Sequence, residues 1–129
     1  MIQTVFPGNF GLEGGHAQCH EHIWLNKGAS YNVNKALCED SPEKSLKELK
    51  TYYSAGGRLI VDAQPTGCGR SAKQLEWLSK ESGVAIVSVT GFHKKVFFDE
   101  PDLWEKSVEQ LADLYTDEIS IGMYENGIQ

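Results

Sequence analysis

Apolar residues fall in short runs that predict β-strands. Residues 58–63 and residues 84–90 are almost continuously apolar, which is typical of strands buried on both faces of a parallel sheet. Residues 17–24 mix polar and apolar side chains and predict a further strand ahead of these two. Residues 26–40 are rich in Gly, Asn and Ser and predict a loop.

Between the predicted strands, apolar residues recur at helical spacing and predict helices. The first helix is predicted from Pro42 to the glycine pair at 56–57, because Ser41 is a favourable N-cap and proline suits the first helical position. The second spans residues 71–83 and the third residues 105–121, each with its large apolar side chains on one face.

The alternation of strands and helices predicts parallel βαβ units and therefore an α/β fold. A sheet of three parallel strands cannot close on itself and leaves two apolar edges unpaired. A closed (β/α)8 barrel needs about 250 residues, and this chain has 129. We therefore expect residues 1–129 to form the N-terminal, incomplete part of a single larger domain. A small three-layer α/β protein is the alternative.

Charge and composition narrow the class of partner. The chain has 12 Lys and Arg against 18 Asp and Glu, a net charge of −6, which argues against nucleic acid and an anionic membrane surface. No apolar run approaches the roughly 18 residues of a transmembrane helix, and the first fifteen residues lack the basic start of a signal peptide. The 3 cysteines show no paired spacing. We expect a cytoplasmic, acidic globular protein.

The His-Glu-His sequence at residues 20–22 is the first candidate for chemistry. Side chains alternate across a strand, so His20 and His22 point the same way, about 7 Å apart at the backbone. Two imidazoles on one face can converge on one metal ion. A chance pair of histidines is the alternative.

Other candidates are weaker. Residues 67–72 fit the loose dinucleotide-binding form G-x-G-x-x-A, but three residues separate them from the preceding strand and no acidic residue ends the next one. Ordinary turn glycines explain them better. Cys19 and Cys68 fit no zinc-ligand spacing, so each is expected to be a small buried residue. Asp62, which ends the second strand, is expected to be an inward polar residue rather than a base.

The segment after the third strand carries His93, Lys94 and Lys95. Ligands of parallel α/β folds bind at the carboxyl ends of the strands, so His93 and Lys94 are candidate contacts for an anionic or carbonyl-bearing substrate. For Lys95 a solvated loop position is the favoured interpretation.

Three of these blocks together resemble the phosphotriesterase family of the amidohydrolase superfamily. They are the His-Glu-His motif at residues 20–22, residues 61–70 of the form V-D followed by G-R, and residues 83–92, which end in Thr-Gly-aromatic. Their order and separations match the family from residue 5 to residue 121. One departure is Ala17, where the family often has threonine.

The resemblance implies a (β/α)8 barrel whose two metal ions, commonly zinc, activate a water that attacks a lactone, a carboxylic ester or a phosphotriester. It assigns metal binding to His20 and His22 alone. Separately from the resemblance, Trp24, His93 and Lys94 are candidate substrate contacts. The strand-four ligand, two later histidines and the strand-eight aspartate that serves as base are expected beyond residue 129. The 129 residues alone are therefore expected to be inactive.

The complete protein is expected to act on a small-molecule ester or lactone, and the resemblance is compatible with a homodimer. A hypothesis of a different class remains open, in which the chain is a non-catalytic α/β fragment or a subunit of a larger assembly.

Overall fold

The computed structural model describes residues 2–7, 10–98, 101–123 and 125. Its sheet contains β1 (His16–Glu21), β2 (Gly57–Asp62) and β3 (Ala85–Ser88) in that order, and both neighbouring pairs are parallel. The predicted α/β class is confirmed, because three parallel strands alternate with helices.

Four helices accompany the strands within the described residues. The helices are α1 (Ala29–Val33), α2 (Pro42–Ser54), α3 (Ala72–Ser82) and α4 (Val108–Ser120), with short 3-10 helices at Lys95–Phe97 and Pro101–Glu105. Among the parts of the chain that the structure describes, no helix has the length and apolar character needed to cross a membrane.

Two predictions about the helices need correction: one helix was not predicted, and another begins later than predicted. The loop predicted for residues 26–40 contains α1, a helix of 5 residues that is too short to leave a periodic pattern. The last helix begins at Val108 rather than at residue 105. Its N-cap is Ser107, whose side chain accepts a hydrogen bond from the Gln110 backbone N–H while the Gln110 side chain accepts one from the Ser107 N–H.

The strands are shorter than predicted at their carboxyl ends. β1 ends at Glu21 and not at residue 24. The chain leaves the sheet there, because the Asp62 carboxylate accepts a hydrogen bond from the backbone N–H of Ile23 at 2.8 Å. β3 ends at Ser88. At this edge one further backbone hydrogen bond joins the ends of β1 and β2: the N–H of Ala63 donates to the Glu21 carbonyl at 2.7 Å.

The apolar core lies between the sheet and the helices α2 and α3. The core cluster of buried side chains comprises Ile23, Trp24, Leu49, Ile60, Leu75, Leu78, Val84 and Ile86. All 6 residues of β1 are exposed, in contrast to the mostly covered β2 and β3. The prediction of a buried Cys19 is therefore wrong, whereas Cys68 is buried as predicted.

The carboxyl ends of the strands bring the candidate residues to one edge of the sheet. His20 lies in β1 and His22 directly follows it, Asp62 is the last residue of β2, and Thr90 follows β3. Parallel pairing puts these ends side by side, as predicted. Ligands of parallel α/β folds bind at this edge, outside the carboxyl ends of the strands.

Candidate functional site

The rings of His20 and His22 are neighbours. Their centroids are 5.4 Å apart, their planes cross at 77°, and both residues are exposed. Two imidazoles on one zinc ion, with nitrogen–zinc distances near 2.0–2.1 Å and a tetrahedral angle, have centroids about 5 Å apart. The observed separation therefore fits a shared ion, although the strand ends between the two histidines.

The amide of Gln64 contacts the His22 ring from the β2 side. Its Oε1 lies 2.8 Å from Nδ1 of His22, and its Nε2 donates to the carbonyl oxygen of Cys68. Gln64 itself is buried, with 3% of its surface exposed. No local sequence pattern indicates Gln64 as a partner of His22, because 42 positions separate the two residues.

Asp62 organises the turn that follows the histidine motif. Its carboxylate is fully buried and accepts hydrogen bonds from the backbone N–H groups of Ile23 at 2.8 Å, Trp24 at 3.4 Å and Gln64 at 2.9 Å. Burial raises the pKa of the Asp62 carboxyl above its ordinary value, and the three backbone N–H groups oppose that rise. Asp62 is thus an inward polar residue, as expected, which fixes the backbone beside His22.

The described residues at this edge do not provide enough ligands for a complete metal site. Among the residues that the structure describes, no three His, Cys, Asp or Glu side chains come close enough together to hold a metal ion. A catalytic zinc ion usually has three protein ligands. His20 and His22 fit such an ion as two of its ligands.

The predicted substrate contacts fall in different environments. Trp24 is 4% exposed and packs in the core, and its indole N–H donates to the side chain of Asn26. The structure therefore does not bring Trp24 to the surface beside the histidines. His93 and Lys94 are exposed on the segment after β3, where the Lys94 backbone N–H donates to His93 Nδ1 at 2.6 Å.

An aromatic cluster that the sequence analysis missed also follows β3. Phe92 lies 5.4 Å from Phe98 and 5.3 Å from Tyr115, measured between ring centroids, and Phe98 lies 5.8 Å from Trp104. Lys95 places its ammonium 5.9 Å from the centre of the Trp104 ring. The Phe92–Phe98 and Phe98–Trp104 pairs are edge-to-face, whereas the Phe92 and Tyr115 rings are tilted at 46°. Ring contacts at such distances are stabilising, and the contact with Tyr115 packs the segment after β3 against α4.

A buried ion pair holds the loop after β2. The Arg70 guanidinium pairs with the carboxylates of Glu118 and Glu125 and donates to the Val89 carbonyl at 2.7 Å. The Thr90 hydroxyl donates to Glu118. These contacts link the β2 and β3 loops to α4, so they stabilise the backbone that carries the site without facing the histidines.

The chain is similar to known proteins in sequence and in fold. The model of the phosphotriesterase family matches residues 7–129. A phospho-furanose lactonase of Mycoplasmopsis agalactiae is 31% identical over 97% of this chain and 36% of its own length. An N-acetyltaurine hydrolase of Homo sapiens is 33% identical over 77% of this chain and 28% of its own length.

Among solved structures, the phosphotriesterase homology protein of Escherichia coli, complexed with phosphate in its active site, superposes with a TM-score of 0.77. It is 23% identical, and the superposition covers 89% of this chain and 39% of that one, which shows the shared fold. The chain thus spans about a third of the length of the curated relatives. Since the family model covers almost the whole chain, the chain belongs to the phosphotriesterase family.

Proposed function

We propose that the protein carrying this chain is a metal-dependent hydrolase in which His20 and His22 hold a divalent metal ion. The observation that carries the proposal is the 5.4 Å separation of the two rings at the carboxyl ends of the strands. Exposed imidazoles favour zinc over the hard, oxygen-preferring ions. A second ion, which the family resemblance implies, would need ligands that the described residues do not supply.

Within this chain, each residue of the site has a separate task. His20 and His22 supply imidazole nitrogens, the Gln64 amide orients the His22 ring, and Asp62 fixes the turn that follows His22. A metal ion held by these two histidines would supply a bound water with a pKa lowered to about 7, and it would polarise a carbonyl or phosphoryl oxygen. Exposure of both rings leaves room for a substrate to approach.

We also propose that these residues form the N-terminal part of a single barrel domain and are inactive alone. Two imidazoles leave a zinc ion at least one protein ligand short, and among the described residues no third His, Cys, Asp or Glu side chain completes the set. The curated relatives are about three times as long as this chain, which leaves room for further ligands and a base.

A lactone is the proposed substrate, with a carboxylic ester or a phosphotriester as further members of the same class. The lactonase relative supports this choice. The exposed His93 and Lys94 are proposed to contact the carbonyl or an anionic group of the substrate. The N-acetyltaurine hydrolase relative makes an amide the competing bond type.

Hydrolysis by metal-free and zinc-reconstituted full-length protein tests the proposal. A sugar-derived lactone, a phosphotriester and an N-acetyl amide are compared as substrates. We expect zinc-dependent opening of the lactone and loss of that activity in His20→Ala. The matched control is His16→Ala, because His16 is an exposed histidine at the opposite end of β1. Metal-independent hydrolysis, or none of the three substrates hydrolysed, would contradict the proposal and favour a non-catalytic α/β subunit.

A further inference from the structure

We propose that Gln64 is a positioning residue that holds the Nδ1–H tautomer of His22, so that Nε2 is the nitrogen free for a metal ion. The proposal rests on the proposed function, because it specifies which atom of His22 is the ligand. It is carried by the contacts of Gln64, which fix the direction of its amide.

The orientation of the Gln64 amide follows from its partner on the other side. The Cys68 carbonyl oxygen can only accept, so the Gln64 NH2 group must face it. Turning the amide over would put two oxygens against each other in a buried site. The backbone N–H of Gln64 is held as well, by the Asp62 carboxylate at 2.9 Å. Gln64 therefore presents its oxygen to His22.

That oxygen decides where the proton of the His22 ring lies. Oε1 of Gln64 is 2.8 Å from Nδ1 of His22, and an amide oxygen only accepts, so Nδ1 must carry the hydrogen. A neutral imidazole has one N–H, and its other nitrogen then has a free lone pair. Metal-bound histidines commonly donate their second ring N–H in this way, which fixes both tautomer and ring orientation.

The tautomer can be read without any metal ion. In metal-free full-length protein with 15N-labelled histidine, long-range 1H–15N spectra distinguish a ring protonated at Nδ1 from one protonated at Nε2. We expect His22 to be a single Nδ1–H species. His16 serves as the internal control, because it is exposed on the same strand, and it should show a mixture of tautomers. A His22 ring protonated at Nε2, or a mixture like that of His16, would overturn the proposal.

Two substitutions separate positioning from a merely structural role. Gln64→Leu removes the acceptor, so the His22 tautomer should become mixed and the zinc affinity should fall about 10–100-fold. Gln64→Glu loses the donor to Cys68 but keeps an acceptor for Nδ1, so it should retain the Nδ1–H signal. An unchanged His22 spectrum in folded Gln64→Leu protein contradicts the role of Gln64. A correct tautomer in a wild type that binds no zinc contradicts the proposed function instead.

Discussion

The carboxylate of Asp62 accepts a hydrogen bond from the backbone N–H of Ile23, the residue directly after His22, at 2.8 Å. This bond joins the end of β2 to the turn that ends β1. It also explains why the strand stops at Glu21 while the histidine rings stay together.

Replacing Asp62 by alanine should destabilise the protein by about 3 kcal/mol. The substitution leaves buried backbone N–H groups without acceptors, and each such group costs about 1–3 kcal/mol. Urea denaturation measures the loss. Asp113→Ala is the matched control, since Asp113 is an exposed aspartate on α4. A free energy of unfolding unchanged in Asp62→Ala would show that the carboxylate does not hold the turn.

The three serine N-caps should differ in their contribution to stability. Only Ser107 has a side chain that accepts a capping hydrogen bond, whereas those of Ser41 and Ser71 do not cap their helices. We expect Ser107→Ala to cost about 1 kcal/mol, and Ser41→Ala and Ser71→Ala to stay within about 0.5 kcal/mol of the wild type. Equal losses in all three variants, measured by thermal or urea unfolding, would be inconsistent with the structure.

Removing only the arginine of the Arg70–Glu118 ion pair should lower the free energy of unfolding. Arg70→Met leaves the Glu118 carboxylate buried without its cation, so we expect a loss of about 3–5 kcal/mol in the free energy of unfolding. The double variant Arg70→Met with Glu118→Leu should recover part of that loss, because it removes the unpaired charge. Lys73→Met, at an exposed lysine of α3, is the control and should change little. A single Arg70→Met variant as stable as the wild type would contradict this account.

The features that the sequence predicted well depend on local patterns. The apolar run at residues 58–63 became β2, because a strand with neighbours on both sides needs apolar residues on both faces. Proline at the first helical position marked the start of α2. The rings of His20 and His22 are neighbours as expected, but strand alternation is not the full reason, because β1 ends at Glu21, before His22.

The features that were missed depend on contacts between distant residues. Gln64 reaches His22 across 42 positions, and Arg70 reaches Glu118 across 48. Neither pair leaves a periodic signal in the sequence. The start of α4 is different, because Ser107 and Gln110 form a capping box that was visible at the required spacing.

The metal content of the full-length protein tests the central claim most directly. Inductively coupled plasma mass spectrometry on wild type, His16→Ala and the double variant His20→Ala with His22→Ala gives the metal equivalents bound per chain. We predict that the double variant loses at least one equivalent and nearly all hydrolytic activity, while His16→Ala retains both. A double variant that is fully metallated and active would contradict the assignment of His20 and His22 as metal ligands.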